Sequence, residues 1–188
     1  MYSDKEIIEG CLKNKQAFQE LLYKKYAPAM FGICMRYSSD RDMAHDLLQE
    51  GFIKVYHALH TLKGDYALKS WMYQIFVRNS INFIKRKNIF GNETENLDNV
   101  ELPIEEIKDY EKEHWLNIVT KQDALQMIQE LPEKYRLVMN MFAVDQMSQS
   151  DIANVLNIKE SSCRSIVLRA RLLLNEQLQL FIQQKNAG

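Results

Sequence analysis

Arginine and serine recur at helical spacing near the C-terminal end of the chain. Ser161, Ser162, Arg164, Ser165, Arg169 and Arg171 lie in a stretch, Glu160 to Phe181, that reads as one helix. Cys163, Val167, Ala170 and Leu174 form its apolar stripe. Measured from Cys163, Ser161, Ser165, Leu168 and Arg169 fall about 140–240° away and Arg164 about 100° away. Guanidinium and hydroxyl groups on an outward face suit phosphate oxygens and base edges in a major groove. A second set lies between Trp71 and Lys87, where Trp71, Tyr73, Phe76 and Phe83 are interleaved with Arg78, Lys85, Arg86 and Lys87. Rings of this kind stack on unpaired bases while cations hold the backbone, although Trp71 and Ile75 read as core. There is no nucleophile–base–orienter set, phosphate-binding glycine loop or dinucleotide fingerprint, so no catalysis is expected. His57 and His60, with His45 upstream, have no matching carboxylate cluster, so neither a metal nor another cofactor is expected.

The elements that must carry these residues are helical throughout. Ser3 and Glu6 make a capping box ahead of Ile7, Ile8, Cys11 and Leu12. Phe18, Leu21, Leu22 and Tyr26 form a second stripe, which Pro28 is expected to interrupt. Asp42 opens a longer helix with Leu47, Leu48, Phe52, Val55, Tyr56 and Leu59 at spacings of three and four. After a loop from Thr61 to Lys69, a helix runs from about Ser70 to the basic end Lys85-Arg86-Lys87. Downstream, Ala124–Leu131 stops at Pro132, and Glu133–Ala143 follows. Ser148 to Asp151 caps Ile152–Leu156, and Asn157 takes the turn, where Asn tolerates a left-handed backbone. A short capped helix, a tight turn and an Arg-bearing helix make a helix-turn-helix arrangement.

Charge divides the 188 residues more sharply than composition does. The net charge of −1 resolves into +5 for residues 1–90, −6 for 91–122 and 0 for 123–188. The acidic, aperiodic stretch around Gly91–Asn99 reads as a linker between two small domains. The 34 residues from 89 to 122 give a coil reach of roughly 30–35 Å, so the linker can join domains on two DNA elements but cannot fix their spacing. Six glycines and three prolines are few, and they exclude collagen-like and low-complexity chains. No apolar run approaches the ~18 residues of a membrane span. The polar start is unlike a signal peptide, and three scattered cysteines suit neither a disulfide framework nor a zinc knuckle. These features predict a soluble, cytoplasmic, all-α protein without membrane insertion.

The stretches "LPEKYRLVMNMF" and "MSQSDIANVLNIKESSCRSIVLRARLLL" resemble region 4 of RNA polymerase sigma factors, most closely those of the extracytoplasmic-function group. Independently, "DMAHDLLQEGFIKVYHAL" is similar to region 2.2, and "LKSWMYQIFVRNSINFIKRK" to regions 2.3 and 2.4. The resemblance implies region 2 over residues 1–90, an acidic linker over 91–122 and region 4 over 123–188. It implies that Asp46, Gln49, Glu50 and Ile53, opposite the apolar stripe of their helix, dock on the β′ clamp helices of core polymerase, with the β subunit as a further partner. Lys63, Tyr66, Lys69, Arg78, Asn79, Asn82, Lys85, Arg86 and Lys87 are the implied −10 DNA contacts. Ser161, Ser162, Arg164, Ser165, Leu168, Arg169 and Arg171 are the implied −35 contacts. An anti-sigma factor is the further implied partner.

Several positions depart from the family pattern. Gln74 stands where many relatives carry Arg, and Asn157 replaces the usual turn glycine. Lys159 replaces a Ser or Asp cap, so the last helix is expected to begin near Ser161 or Ser162. Ile166 and Leu168 occupy positions that are frequently polar. Two other functions are compatible with parts of the pattern: a helix-turn-helix regulator that works without polymerase, and a sigma mimic that sequesters an anti-sigma factor. The first leaves Asp46–Gly51 unexplained.

Overall fold

The computed structural model describes residues 2–62, 68–87, 89 and 119–186. Those residues form eight α-helices and no strand. The chain divides into two compact units, Met1–Lys87 and Asn88–Gly188.

The first unit holds α1 (Asp4–Leu12), α2 (Gln16–Tyr37), α3 (Arg41–Ala58) and α4 (Leu68–Lys87). Ser3 caps α1 as its sequence predicts: Ser3 Oγ accepts from the Glu6 amide at 3.3 Å, and Glu6 Oε2 accepts from the Ser3 amide at 2.8 Å. Ile7 and Cys11 are buried, whereas Leu12 of the same expected stripe is exposed. Pro28 does not interrupt α2, which continues through it to Tyr37. A proline inside a helix costs about 3 kcal/mol. Leu22, Tyr26, Met30, Ile33, Cys34 and Tyr37 are all buried along the same helix; Leu22, Met30 and Ile33 alone contribute about 1.5–3 kcal/mol each, so packing outweighs the break. Asp40, rather than Asp42, caps α3, accepting from the Met43 amide at 2.8 Å. Helices α2, α3 and α4 pack mutually around Leu47, Phe52, Val55, Met72 and Phe76.

The second unit holds α5 (Lys121–Glu130), α6 (Glu133–Met139), α7 (Gln149–Leu156) and α8 (Glu160–Asn186). Thr120 and Asp123 form a capping box that starts α5 three residues before the predicted Ala124. α6 widens into a π turn over Asn140–Val144, where Asn140 Nδ2 donates to the Arg136 carbonyl at 3.0 Å. Ser148 caps α7 through the Asp151 amide at 3.0 Å. Asn157 closes the helix at φ 55° and ψ 47°, the left-handed conformation expected there. α8 starts at Glu160, earlier than the Lys159 substitution suggests, because the Lys159 carbonyl already accepts from the Cys163 amide at 3.0 Å. Helices α5, α6 and α7 all pack against α8.

Candidate nucleic-acid and partner-docking surfaces

On α3, the buried stripe of Leu47, Leu48, Phe52 and Val55 turns Asp46, Gln49 and Ile53 outward. Ile53 is 56% exposed, an aliphatic group between an acid and an amide. Glu50 is placed differently. Its carboxylate accepts from Lys54 Nζ at 2.8 Å, and Arg86 Nη2 of α4 lies 3.4 Å from each of its oxygens. The Lys54 hydrogen bond, with the charges of Lys54 and Arg86 behind it, holds the Glu50 carboxyl below the ordinary carboxylate range. Glu50 therefore joins α3 to α4 as well as bordering the outward face.

Beside that ion-pair network, α3 and α4 frame an open concavity of about 290 Å³. Lys54 and Ala58 come from α3; Trp71, Gln74, Ile75, Arg78, Asn79 and Asn82 come from α4. Trp71 and Ile75 are half-buried walls of this groove, not core, because they face away from the α2–α3 contact that encloses Met72 and Phe76. Arg78 and Asn82 are exposed at its rim.

Asn79 is only 2% exposed and does not present its amide to solvent. Its Nδ2 donates to the Leu47 carbonyl at 3.3 Å and its Oδ1 accepts from Lys54. The buried amide is thus consumed in joining the helices, which corrects its assignment as a direct DNA contact. Lys54 belongs to the same groove, and residue type and spacing do not single it out. Its one signal in the sequence is its position a turn beyond Glu50, and its place in the groove depends on packing between two helices.

The remaining rings are also spoken for. Phe76 is fully buried, its ring centroid 5.4 Å from that of Phe52 in an edge-to-face arrangement. Tyr73 accepts from Arg36 Nη2 at 3.0 Å. Phe83 lies beneath Lys87 and Arg86, at 5.2 and 5.9 Å. Lys69, Lys85, Arg86 and Lys87 are exposed, the last three completing the C-terminal end of α4, where cations suit the helix dipole. Lys63 and Tyr66 lie outside the described residues.

On α8, Ser161, Arg164 and Arg171 are exposed, and Ser165, Leu168 and Arg169 half-exposed. Arg164 pairs with Glu160 at 3.2 Å, and the Arg171 guanidinium lies 5.3 Å over the Phe142 ring. Ser162 is fully buried, which corrects its place in the DNA-facing set. It lies four residues before Ile166 and eight before Ala170, on the same inward edge; both of those are buried too.

Among the described residues no group of three His, Cys, Asp or Glu side chains could hold a metal, and no helix is long and apolar enough to cross a membrane. Burial pushes the Cys34 thiol up to about 12. Burial, with the Glu160 charge, pushes Cys163 up to about 11. Thiols so placed stay protonated and unreactive.

Comparison with known proteins places two family matches on these helices: Sigma-70 region 2 over residues 22–89 and Sigma-70, region 4 over residues 121–174. The RNA polymerase sigma-H factor of Pseudomonas aeruginosa is 28% identical over 96% of each chain. The ECF RNA polymerase sigma-E factor of Escherichia coli strain K12 is 27% identical over 97% of each. A solved sigma factor RpoE, in complex with the anti-sigma factor NepR from Bartonella quintana, is 24% identical over 85% of this chain and 96% of that one, with a TM-score of 0.44.

Proposed function

Because this chain belongs to the extracytoplasmic-function group of the sigma-70 family of RNA polymerase sigma factors, we propose a division of labour between its two units in directing core polymerase to promoters. Residues 1–90 act as region 2, docking on the β′ clamp through Asp46, Gln49 and Ile53, with Glu50 at the border. The groove between α3 and α4 takes the opened −10 strand. Residues 91–122 serve as the acidic linker, and residues 123–188 read the −35 element through Ser161, Arg164, Ser165, Leu168, Arg169 and Arg171. The protein acts in the cytoplasm with polymerase and has no catalytic role of its own. An anti-sigma factor that covers these surfaces is its regulator.

The observation that supports this reading best is the order of the two family matches, region 2 over α2–α4 and region 4 over α5 to the middle of α8. The test is co-elution of the purified chain with core RNA polymerase, followed by promoter-dependent transcription. A stable complex that initiates is expected. A folded chain that binds promoter DNA but not core would overturn the reading.

A further inference from the structure

The amide of Asn79 can be oriented in only one way. Its NH₂ faces the Leu47 carbonyl, so its oxygen faces Lys54; the flipped amide would set its donors against an ammonium that has donors only. Glu50 supplies a second acceptor to the same ammonium at 2.8 Å. Two of the three Lys54 donors are thus engaged among the described residues, and the side chain remains 43% exposed on the groove that Trp71 and Arg78 also line. A lysine on an open surface samples many rotamers. Here two fixed acceptors, one of them buried in the α3–α4 contact, hold the stem and leave one N–H available to an anion in the groove.

We infer that Asn79 and Glu50 are positioning residues that hold the Lys54 ammonium ready for a backbone phosphate of single-stranded nucleic acid lying along Trp71 and Arg78. This rests on the reading that the α3–α4 groove takes a single strand. Asn79 touches no nucleotide in this arrangement; it acts through Lys54. Holding the stem in advance removes part of the ordering cost that a free lysine bears on binding, about 0.5–1.5 kcal/mol, which corresponds to a two- to tenfold change in affinity.

The test uses the full chain carrying Trp115→Phe, so that Trp71 is the only tryptophan and reports occupancy of its own groove. Its fluorescence is titrated with a random-sequence single-stranded oligonucleotide at several salt concentrations. Lys54→Met is expected to reduce the salt slope by about 0.7, one phosphate contact on a single strand. Asn79→Ala is expected to weaken binding two- to tenfold on its own and to add nothing in the Lys54→Met background. Because Asn79 is buried, Glu50→Ala provides a second route that does not open the core. Removing a carboxylate near a cationic groove raises affinity by Coulomb attraction alone, so a loss that disappears in the Lys54→Met background is the signature of positioning.

Losses that add fully to that of Lys54→Met, or a Glu50→Ala variant that binds more tightly, would overturn the inference. Arg78→Ala separates the two levels. If Arg78→Ala weakens the titration while the Asn79 and Glu50 variants do not, positioning alone is wrong. If Trp71 shows no saturable response even at low salt, the groove reading falls and this inference with it.

Discussion

The ring of Phe76 stands where a side chain on residue 51 would go: a Cβ on Gly51 would come 2.2 Å from its Cε1 atom. Gly51 lies within α3 and Phe76 within α4, both buried, so this contact sets how closely the two helices approach. Alanine suits a helix interior better than glycine by up to about 1 kcal/mol. Against that, overpacking a rigid core costs typically about 1–3 kcal/mol, occasionally more, and the trapped ring has no free end to give way. Gly51→Ala is therefore expected to destabilise the first unit by about 1–3 kcal/mol, seen as a lower urea midpoint by Trp71 fluorescence in chains carrying Trp115→Phe. An unchanged or higher midpoint would show that α3 and α4 separate easily.

Ile53 isolates partner docking from folding. It is 56% exposed and takes no part in the Glu50–Lys54–Arg86 ion pairs, so Ile53→Asp should alter stability by less than about 0.5 kcal/mol. If the clamp buries this side chain, the variant loses about 1.5–3 kcal/mol of apolar burial, or roughly ten- to a hundredfold in affinity for core. Competition binding to core polymerase measures it, and wild-type affinity would place the docking face elsewhere. Exchanging Glu50 for Lys is a less clean test, because it also severs Arg86 and Lys54 from their shared partner.

Glu50 has its own signature in acid. Its carboxyl is held below the ordinary range by the Lys54 hydrogen bond and by the charges of Lys54 and Arg86. A carboxyl whose folded value is depressed gives stability that is fully present above its unfolded value and lost as pH falls through the folded one. Glu50→Gln is therefore expected to lower the urea midpoint at neutral pH. The gap from wild type should close as pH drops below about 4. A gap that persists into acid would mean that shape, not charge, explains the loss.

How far the sequence could be read depended on how local each interaction is. The Ser3–Glu6 box, the Ser148 cap and left-handed Asn157 all resolve within a few residues, so residue type and spacing sufficed. Pro28 was misjudged because what offsets its cost is burial contributed by other helices. Asn79 and Ser162 were misplaced because a polar residue type does not reveal whether its partner is solvent, DNA or another helix. Lys54 was missed for the same reason, since its two acceptors come from different helices, one of them 25 residues away.

Gln146 adopts φ 57° in the turn before α7, in the half of the backbone map that side chains disfavour. The left-handed conformation costs a residue with a Cβ roughly 1–2 kcal/mol, and glycine escapes that cost at the expense of about 0.4–1 kcal/mol of unfolded-chain entropy. The Gln146 side chain is exposed, so little packing is lost with it. Gln146→Gly should stabilise the second unit by about 0.5–1 kcal/mol, measured as a higher thermal midpoint. Destabilisation would indicate that the side chain supports the turn.

The arginines of α8 are not equivalent, and their surroundings rank them. Arg164 is paired with Glu160 at 3.2 Å, which partly cancels its field. Arg171 rests over Phe142, so reaching a phosphate requires it to leave the ring, an interaction worth about 0.5–1 kcal/mol at an exposed site. Arg169 has no ion pair among the described residues and shares a helical row with Ser161 and Ser165. Arg169→Ala is therefore expected to reduce the slope of log K against log salt for promoter duplex by about 0.9, one phosphate contact. Arg171→Ala should change it less. Both slopes follow from fluorescence anisotropy across a salt series. If Arg169→Ala leaves slope and affinity unchanged while Arg171→Ala lowers both, the phosphate-facing side of α8 is the Arg164–Arg171 edge instead.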